Sequence, residues 1–248
     1  MSIFFEELDF RPTSMGVLTL RRRRKPGTDV DVYEIKLGDE FLMSSAFTAA
    51  EIALADIGLS SLSQDPLPRG KLDVVVGGLG LGYTAQAVLT NQRVGSLIVV
   101  DALHEVIEWH QAALIPVGRE LSADPRCRLV HGDFFTMATS ADGSFDPAAP
   151  GRRFDAVLVD IDHAPDKLLH PSHAVLYTAA GLRRLADHLK PGGVFALWSN
   201  DPPEPVFQAL LGSVFGAVQA HVVSFENLGG DDEVSNTVYV GTKQAPAA

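Results

Sequence analysis

The sequence predicts an α/β fold: a mostly parallel sheet packed between helices, ending in an antiparallel hairpin and preceded by a short β-rich segment. Three observations carry this. From Lys71 onward, apolar runs of strand length alternate with helical patterns, the order that gives parallel strands joined by crossover helices. The first of these runs passes through a glycine-rich turn straight into a helix, in Lys71 to Leu89 (KLDVVVGGLGLGYTAQAVL). The alternation then fails near the end, where Ala217 to Phe225 and Thr237 to Val240 flank the turn Gly229-Gly230-Asp231-Asp232 and read as a hairpin.

Taken in order, Gly16 to Leu20 and Asp31 to Leu37 read as strands, with the basic run Arg21-Arg22-Arg23-Arg24-Lys25 ahead of Pro26-Gly27 as a solvated hairpin. A helix follows from about Thr48 to Leu59. Two prolines, a glycine and small polar residues in Leu62 to Gly70 place a boundary there, giving an N-terminal segment 1–62 and a main domain 63–248. Asp73 to Val76 is a strand whose Val74-Val75-Val76 run is continuously apolar and β-branched, of the kind buried on both faces, and Thr84 to Leu89 continues as helix. Ser96 to Val100 is the next strand, ending at Asp101. Arg128 to Val130 ends in His131-Gly132-Asp133-Phe134, and Asp142 to Arg153 reads as a surface loop. Phe154 to Val159 delivers Asp160-Ile161-Asp162-His163-Ala164-Pro165. A helix from Leu176 to Leu189 is expected to stop at Lys190-Pro191-Gly192-Gly193, before a strand Val194 to Trp198 that ends in Ser199-Asn200-Asp201.

The glycine spacing narrows the ligand. A dinucleotide fingerprint needs G-x-G-x-x-G, and no frame starting at Gly77 or Gly78 supplies it. Gly78-Leu79-Gly80-Leu81-Gly82 is G-x-G-x-G, which resembles the first motif of class I S-adenosylmethionine-dependent transferases. Gly77, Gly78, Gly80 and Gly82 then let a nucleoside lie against bare backbone. In open α/β sheets ligands bind outside the carboxyl ends of the strands, where this chain puts several acids. Asp101 is placed to accept from the ribose hydroxyls, and Asp133 with Phe134 suits an adenine amine and ring face. Asp160 and Asp162, two apart at a strand end, raise each other's pKa and mark the chemistry. Asp101, Asp133 and Asp201 have an ordinary alternative as helix caps. His163, His170 and His173 share a loop that could supply a base or serve as a lid, and Trp198 could stack on ligand. Asp160 or Asp162 with Asn200 and Asp201 would offer oxygen ligands to Mg2+, a possibility ranked below helix capping.

Composition excludes several partners. A chain of 248 residues, 46% hydrophobic, can bury a large core, and a formal net charge of −11 argues against nucleic acid. Cys127 is the only cysteine, no stretch has transmembrane length, and the acidic start MSIFFEELDF lacks a signal peptide's basic residues. A cytoplasmic protein without membrane partners is expected.

Over roughly Lys71 to Val240 the chain resembles the spermidine synthase-like family of polyamine aminopropyltransferases. The resemblance rests on VVVGGLGLG, VVDALHEVIEWH, LVHGDFF, FDAVLVDIDHAP and LKPGGVFALWS, in that order, with Leu37-Gly38-Asp39 as a hairpin turn ahead of the sheet. It implies a Rossmann-like class I methyltransferase fold with a seven-stranded sheet, Asp101 on ribose, Asp133 on adenine and Asp160 beside the reacting amine. The chain also departs from that family. Gly80 stands where aminopropyltransferases carry an aspartate that anchors the donor's amine; Asp160-Ile161-Asp162-His163-Ala164-Pro165 replaces D-S-S-D-P, so the second acid is His163 or has moved to Asp162. Of a Tyr-His-Glu near the first helix only Glu51 has a counterpart. Two enzyme readings follow, both on a small-molecule acceptor, an amine or a hydroxyl. Methyl transfer from S-adenosylmethionine is slightly favoured because amine contacts are missing; the alternative is aminopropyl transfer from decarboxylated S-adenosylmethionine to a polyamine. A non-catalytic nucleoside-binding or scaffold protein ranks third. The β-rich start offers edge strands for a homodimer.

Overall fold

The computed structural model describes residues 5–25, 27–62, 70–226 and 233–244. Four strands, β1 (Phe5–Thr13), β2 (Gly16–Arg24), β3 (Asp31–Leu37) and β4 (Glu40–Ser44), pair antiparallel in sequence order. The helix α1 (Ala49–Ser60) leads into a second sheet built from β5 (Leu72–Gly77), β6 (Val94–Asp101), β7 (Cys127–His131), β8 (Phe154–Val159), β9 (Leu189–Ser199), β10 (Ala217–Glu226) and β11 (Glu233–Thr242). Its order is β10-β11-β9-β8-β5-β6-β7, parallel from β9 to β7 and antiparallel through β11 and β10. The central strands are apolar on both faces because helices cover both. On one side lie α1, α2 (Tyr83–Thr90), α3 (His104–Gln111) and α4 (Gly118–Ala123); on the other, α5 (Phe134–Thr139), α6 (Ala179–Asp187) and α7 (Pro205–Gly212).

The four-stranded sheet does not stand apart. Leu18, Leu20 and Ile35 join the same apolar core as Leu54, Leu59, Val76 and Leu158, and the Trp109 indole N–H donates to Asp9 at 2.7 Å, tying β1 to α3. α1 packs on β8, β9, β11 and α2, where a side chain at Gly58 would collide with Leu158. The boundary expected after residue 62 and the turn Gly229–Asp232 lie outside the described residues.

Four local expectations change. The arginine run is strand rather than turn: Arg23 Nε donates to Glu34 at 2.6 Å, Arg24 Nε to Asp31 at 2.7 Å, and Arg22 pairs with Glu6, so cross-strand carboxylates compensate the cations. The helix expected over Leu176 to Leu189 is shorter at both ends: α6 begins at Ala179, capped by Thr178 through the N–H of Gly181 at 3.0 Å, and stops at Asp187, while a separate 3-10 turn, Pro171–Val175, precedes it. Lys190 to Gly193 does not precede the strand but bulges out of it, since Phe154 pairs with Leu189 and Ala156 with Val194. The loop Asp142 to Arg153 is anchored: Phe145 and Asp146 are buried, and Asp146 binds Arg152 at 2.9 Å and also Arg128. Among the described residues no helix is long and apolar enough to cross a membrane.

Candidate functional site

The loop after β5 is held from three sides. Gly78 N–H donates to Val100 at 2.9 Å and Asp160 N–H to the Gly77 carbonyl at 2.9 Å, which fixes the ends of β5, β6 and β8 against one another. Gly78 has φ +92°, and a Cβ there would sit 2.1 Å from the Asp160 carbonyl oxygen, so only glycine lets the two strand ends meet. Gly80 has φ +47° and faces Met43 of β4, whose sulfur accepts from Leu81 N–H at 3.1 Å. Gly77 and Gly82 are closely packed and do not line the cavity described below: a Cβ on Gly77 would enter the Phe134 ring, and one on Gly82 would meet His110 and Leu121. His110 was not singled out by sequence, yet its Nε2 lies 2.9 Å from the Gly80 carbonyl. A carbonyl only accepts, so Nε2 carries the hydrogen. Burial holds the imidazole pKa below its usual value, which leaves Nδ1 as the bare, unpartnered nitrogen.

Asp101 at the end of β6 accepts from Leu79 N–H and from Leu103 N–H, each at 2.8 Å, using one oxygen for each. With a further backbone bond from Gly80, it braces the glycine loop and the start of α3 while keeping acceptor capacity for a ligand. Burial raises its pKa despite these bonds.

Asp133 is differently occupied. Its carboxylate accepts from Phe135 N–H at 2.9 Å, Thr136 N–H at 3.3 Å and the Thr136 hydroxyl at 2.6 Å, the full N-cap of α5, and it does not line the cavity described below. Phe134 is buried and stacks on Phe145 with centroids 5.1 Å apart, leaving one edge to the cavity.

Asp160 and Asp162 part company. Asp162 is turned away and buried, accepting from Leu169 N–H at 2.8 Å, His173 Nδ1 at 2.7 Å and the Tyr177 hydroxyl at 2.9 Å. It organises the loop after β8, and it is not the charge that perturbs Asp160. His173 stacks on Phe135 at 3.7 Å, His170 caps the 3-10 turn, and His163 reaches Glu40 at 2.9 Å, so the three histidines do not converge.

Asp160 accepts from the Thr84 hydroxyl at 2.7 Å, and its neighbour is Glu51, from the first turn of α1. Desolvation lifts Asp160 to about 6; desolvation and then the Asp160 charge lift Glu51 to about 8. This pairing was hidden at the level of sequence, because Glu51 lies on a helix far from Asp160 in the chain.

These groups enclose an open cavity of about 1100 Å³, counting the space at its mouth. Gly78, Leu79, Gly80, Asp101 and Phe134 form one part, and Glu51, Tyr83, Thr84 and Asp160 another. His163, Leu169 and Trp198 close a third, and Met15, Ile35, Leu37, Leu42 and Met43 of the first sheet form a roof. No Lys or Arg lines it among the described residues. The expected Mg2+ position is otherwise engaged: Asp201 pairs with Lys167 at 2.7 Å and Asn200 with Asn236 at 3.0 Å. Among the described residues no group of three His, Cys, Asp or Glu is arranged to hold a metal.

Comparison with known proteins gives a concordant picture. A curated polyamine aminopropyltransferase 2 of Pseudomonas aeruginosa is 30% identical over 163 residues, 60% of this chain and 41% of that protein, so the chain spans about two fifths of its relative's length. In fold it is similar to a spermidine synthase solved with the transition-state analogue AdoDATO (TM-score 0.71, 17% identity, covering 96% of this chain and 73% of that one). It is likewise similar to the spermidine synthase of Thermotoga maritima (0.68, 16%, 96% and 72%) and to a probable one from Corynebacterium glutamicum (0.61, 17%, 94% and 79%). Residues 53–206 match the model of the spermine/spermidine synthase domain, and the chain belongs to that family.

Proposed function

We propose that this chain transfers an aminopropyl group from decarboxylated S-adenosylmethionine to an amine acceptor. The carrying observation is the charge of the cavity: three carboxylates, Glu51, Asp101 and Asp160, and no Lys or Arg among the described lining residues. S-adenosylmethionine would bring its own carboxylate to this wall with no cation to receive it, and a buried unpaired charge is costly. The decarboxylated donor brings an ammonium and a sulfonium. Methyl transfer, the reading favoured on sequence, is therefore the weaker one, and the family and the name of the Pseudomonas relative support aminopropyl transfer.

The adenosyl group would lie along Gly78 to Gly80 with its ribose on Asp101 and its base near Phe134. The acceptor amine attacks the donor carbon bound to sulfur; a C–N bond forms, the C–S bond breaks, and its electron pair leaves on sulfur as methylthioadenosine. A free amine has pKa about 10, so a carboxylate at the site must take its proton. Asp160, lifted to about 6 and oriented by Thr84, is the proposed base. His163 at the far wall and Asp162 behind the loop would shape the acceptor side.

The test is product analysis by mass spectrometry after incubation with each donor and a series of diamines. Methylthioadenosine together with an aminopropylated amine is expected from the decarboxylated donor. A methylated product and S-adenosylhomocysteine from S-adenosylmethionine would overturn the proposal.

A further inference from the structure

We infer that Glu51 is the donor-specificity residue of this cavity, receiving the ammonium of the aminopropyl tail in a place where the glycine loop itself offers no acid. This rests on the aminopropyl reading above. Three observations converge on it. Glu51 faces the cavity, yet among the described residues its carboxylate has no ion-pair partner and no side-chain hydrogen bond; the nearest charge is Asp160, of the same sign. A largely enclosed carboxylate in that state is costly unless a cation arrives with the ligand.

Position fixes which cation. The glycine loop sets the adenosyl group, and the sulfonium tail leaving it meets the first turn of α2, where Tyr83, Thr84, Asp160 and Glu51 stand together. Met43, Ile35 and Leu42 add apolar surface to the lining, and His163, Leu169 and Trp198, which also line it, would be left to the acceptor. An acid on the loop at Gly80 is disfavoured: it would sit at φ +47°, which side chains rarely adopt, and its Cβ, 2.9 Å from the Met43 sulfur, would push that side chain off its contact with Leu81 N–H. The same geometry repels an α-carboxylate, which makes Glu51 a discriminator between the two donors as well as an anchor.

Calorimetric titration of the unaltered chain and of Glu51→Gln tests this with three probes: decarboxylated S-adenosylmethionine, S-adenosylmethionine and methylthioadenosine, which lacks the amine. The expected result is a loss of about ten- to hundredfold in affinity for the decarboxylated donor, the range of a charge-assisted bond, with methylthioadenosine bound equally by both proteins and the preference between donors narrowed. Equal binding of the decarboxylated donor by both proteins would overturn the role of Glu51 while leaving the aminopropyl reading in place. If the unaltered chain binds no methylthioadenosine, the adenosyl reading falls and this inference with it.

Discussion

Asp160 and Glu51 show how a single pair of side chains couples stability to chemistry. Folding lifts Asp160 from 3.8 to about 6 and Glu51 from 4.5 to about 8, so the folded state holds both protons more tightly than the unfolded chain. The stability they contribute is fully present below about pH 4 and is lost as pH rises through about 6 and then about 8. Glu51→Gln cannot ionise; without ligand it is expected to melt about 3–8 °C higher than the unaltered chain at pH 9 and nearly equally at pH 4, measured by scanning calorimetry. Coincident melting of the two proteins at pH 9 would mean that the carboxylate is better solvated than the geometry indicates. Asp160→Asn, which removes the proposed base and keeps its size, is expected to lower kcat by about 10²–10⁴ with methylthioadenosine affinity unchanged, and a kcat within threefold would remove Asp160 from that role. Only part of this was legible in the sequence. Asp160 stood out because a strand delivers it to the ligand-binding edge, whereas the acid two residues on, Asp162, points to the other side of the chain and is consumed by three donors.

At the scale of elements, the turn between β5 and α2 and the cap of α5 carry different loads. Gly78→Ala would force a side chain onto the Asp160 carbonyl at a positive φ, so it is expected to cost about 2–4 kcal/mol in denaturant unfolding and to abolish methylthioadenosine binding together with it. Asp133→Ala removes three hydrogen bonds at the start of α5 and is expected to cost about 1 kcal/mol, while Asp133→Asn, which can still cap, stays within a few tenths. If Asp133→Asn instead weakens nucleoside binding at unchanged stability, its role lies with the adenine. Strands β5, β6 and β8 could be read directly because each contains a short unbroken apolar run, Val74 to Val76, Leu97 to Val100 and Ala156 to Val159. The bulge at Lys190 to Gly193 could not: Lys-Pro-Gly-Gly has the composition of a helix stop, and the ladder partners Phe154 and Ala156 on β8, backbone bonds of Gly192 and Gly193 with Lys243, and Lys190 bound to Asp73 and Asp155 at 2.8 Å keep it within a strand. Strand β1 was equally hidden, since FEELDFRPT has no buried face of its own and owes its place to β2 and to the Trp109 contact.

The whole molecule adds a field to the site. The order of strands and helices from Lys71 onward was legible because each unit is local, but the way the first sheet roofs the cavity depends on contacts such as Met43 on the glycine loop, which join distant parts of the chain. The net charge of −11 is likewise visible in composition, whereas its effect at the cavity depends on the basic run being compensated within the first sheet by Glu6, Asp31 and Glu34. With Arg22, Arg23 and Arg24 paired and no Lys or Arg among the described lining residues, a cationic donor approaches a chain of net negative charge and reaches a lining whose titratable groups include Asp160 and Glu51, the latter ionising as the cation arrives. Raising ionic strength from about 0.05 to 0.5 M contracts the screening length from roughly 14 to 4 Å. The affinity of decarboxylated S-adenosylmethionine is therefore expected to fall several-fold across that range, while uncharged methylthioadenosine changes by less than about twofold in the same calorimetric titration. The two ligands would share the proposed adenosyl contacts with Asp101 and the glycine loop, so any unequal response to salt reports the charge of the tail. A parallel loss for both would instead trace the salt effect to the fold or to the adenosyl contacts, and would count against selection of the donor by the field of Glu51 and Asp160.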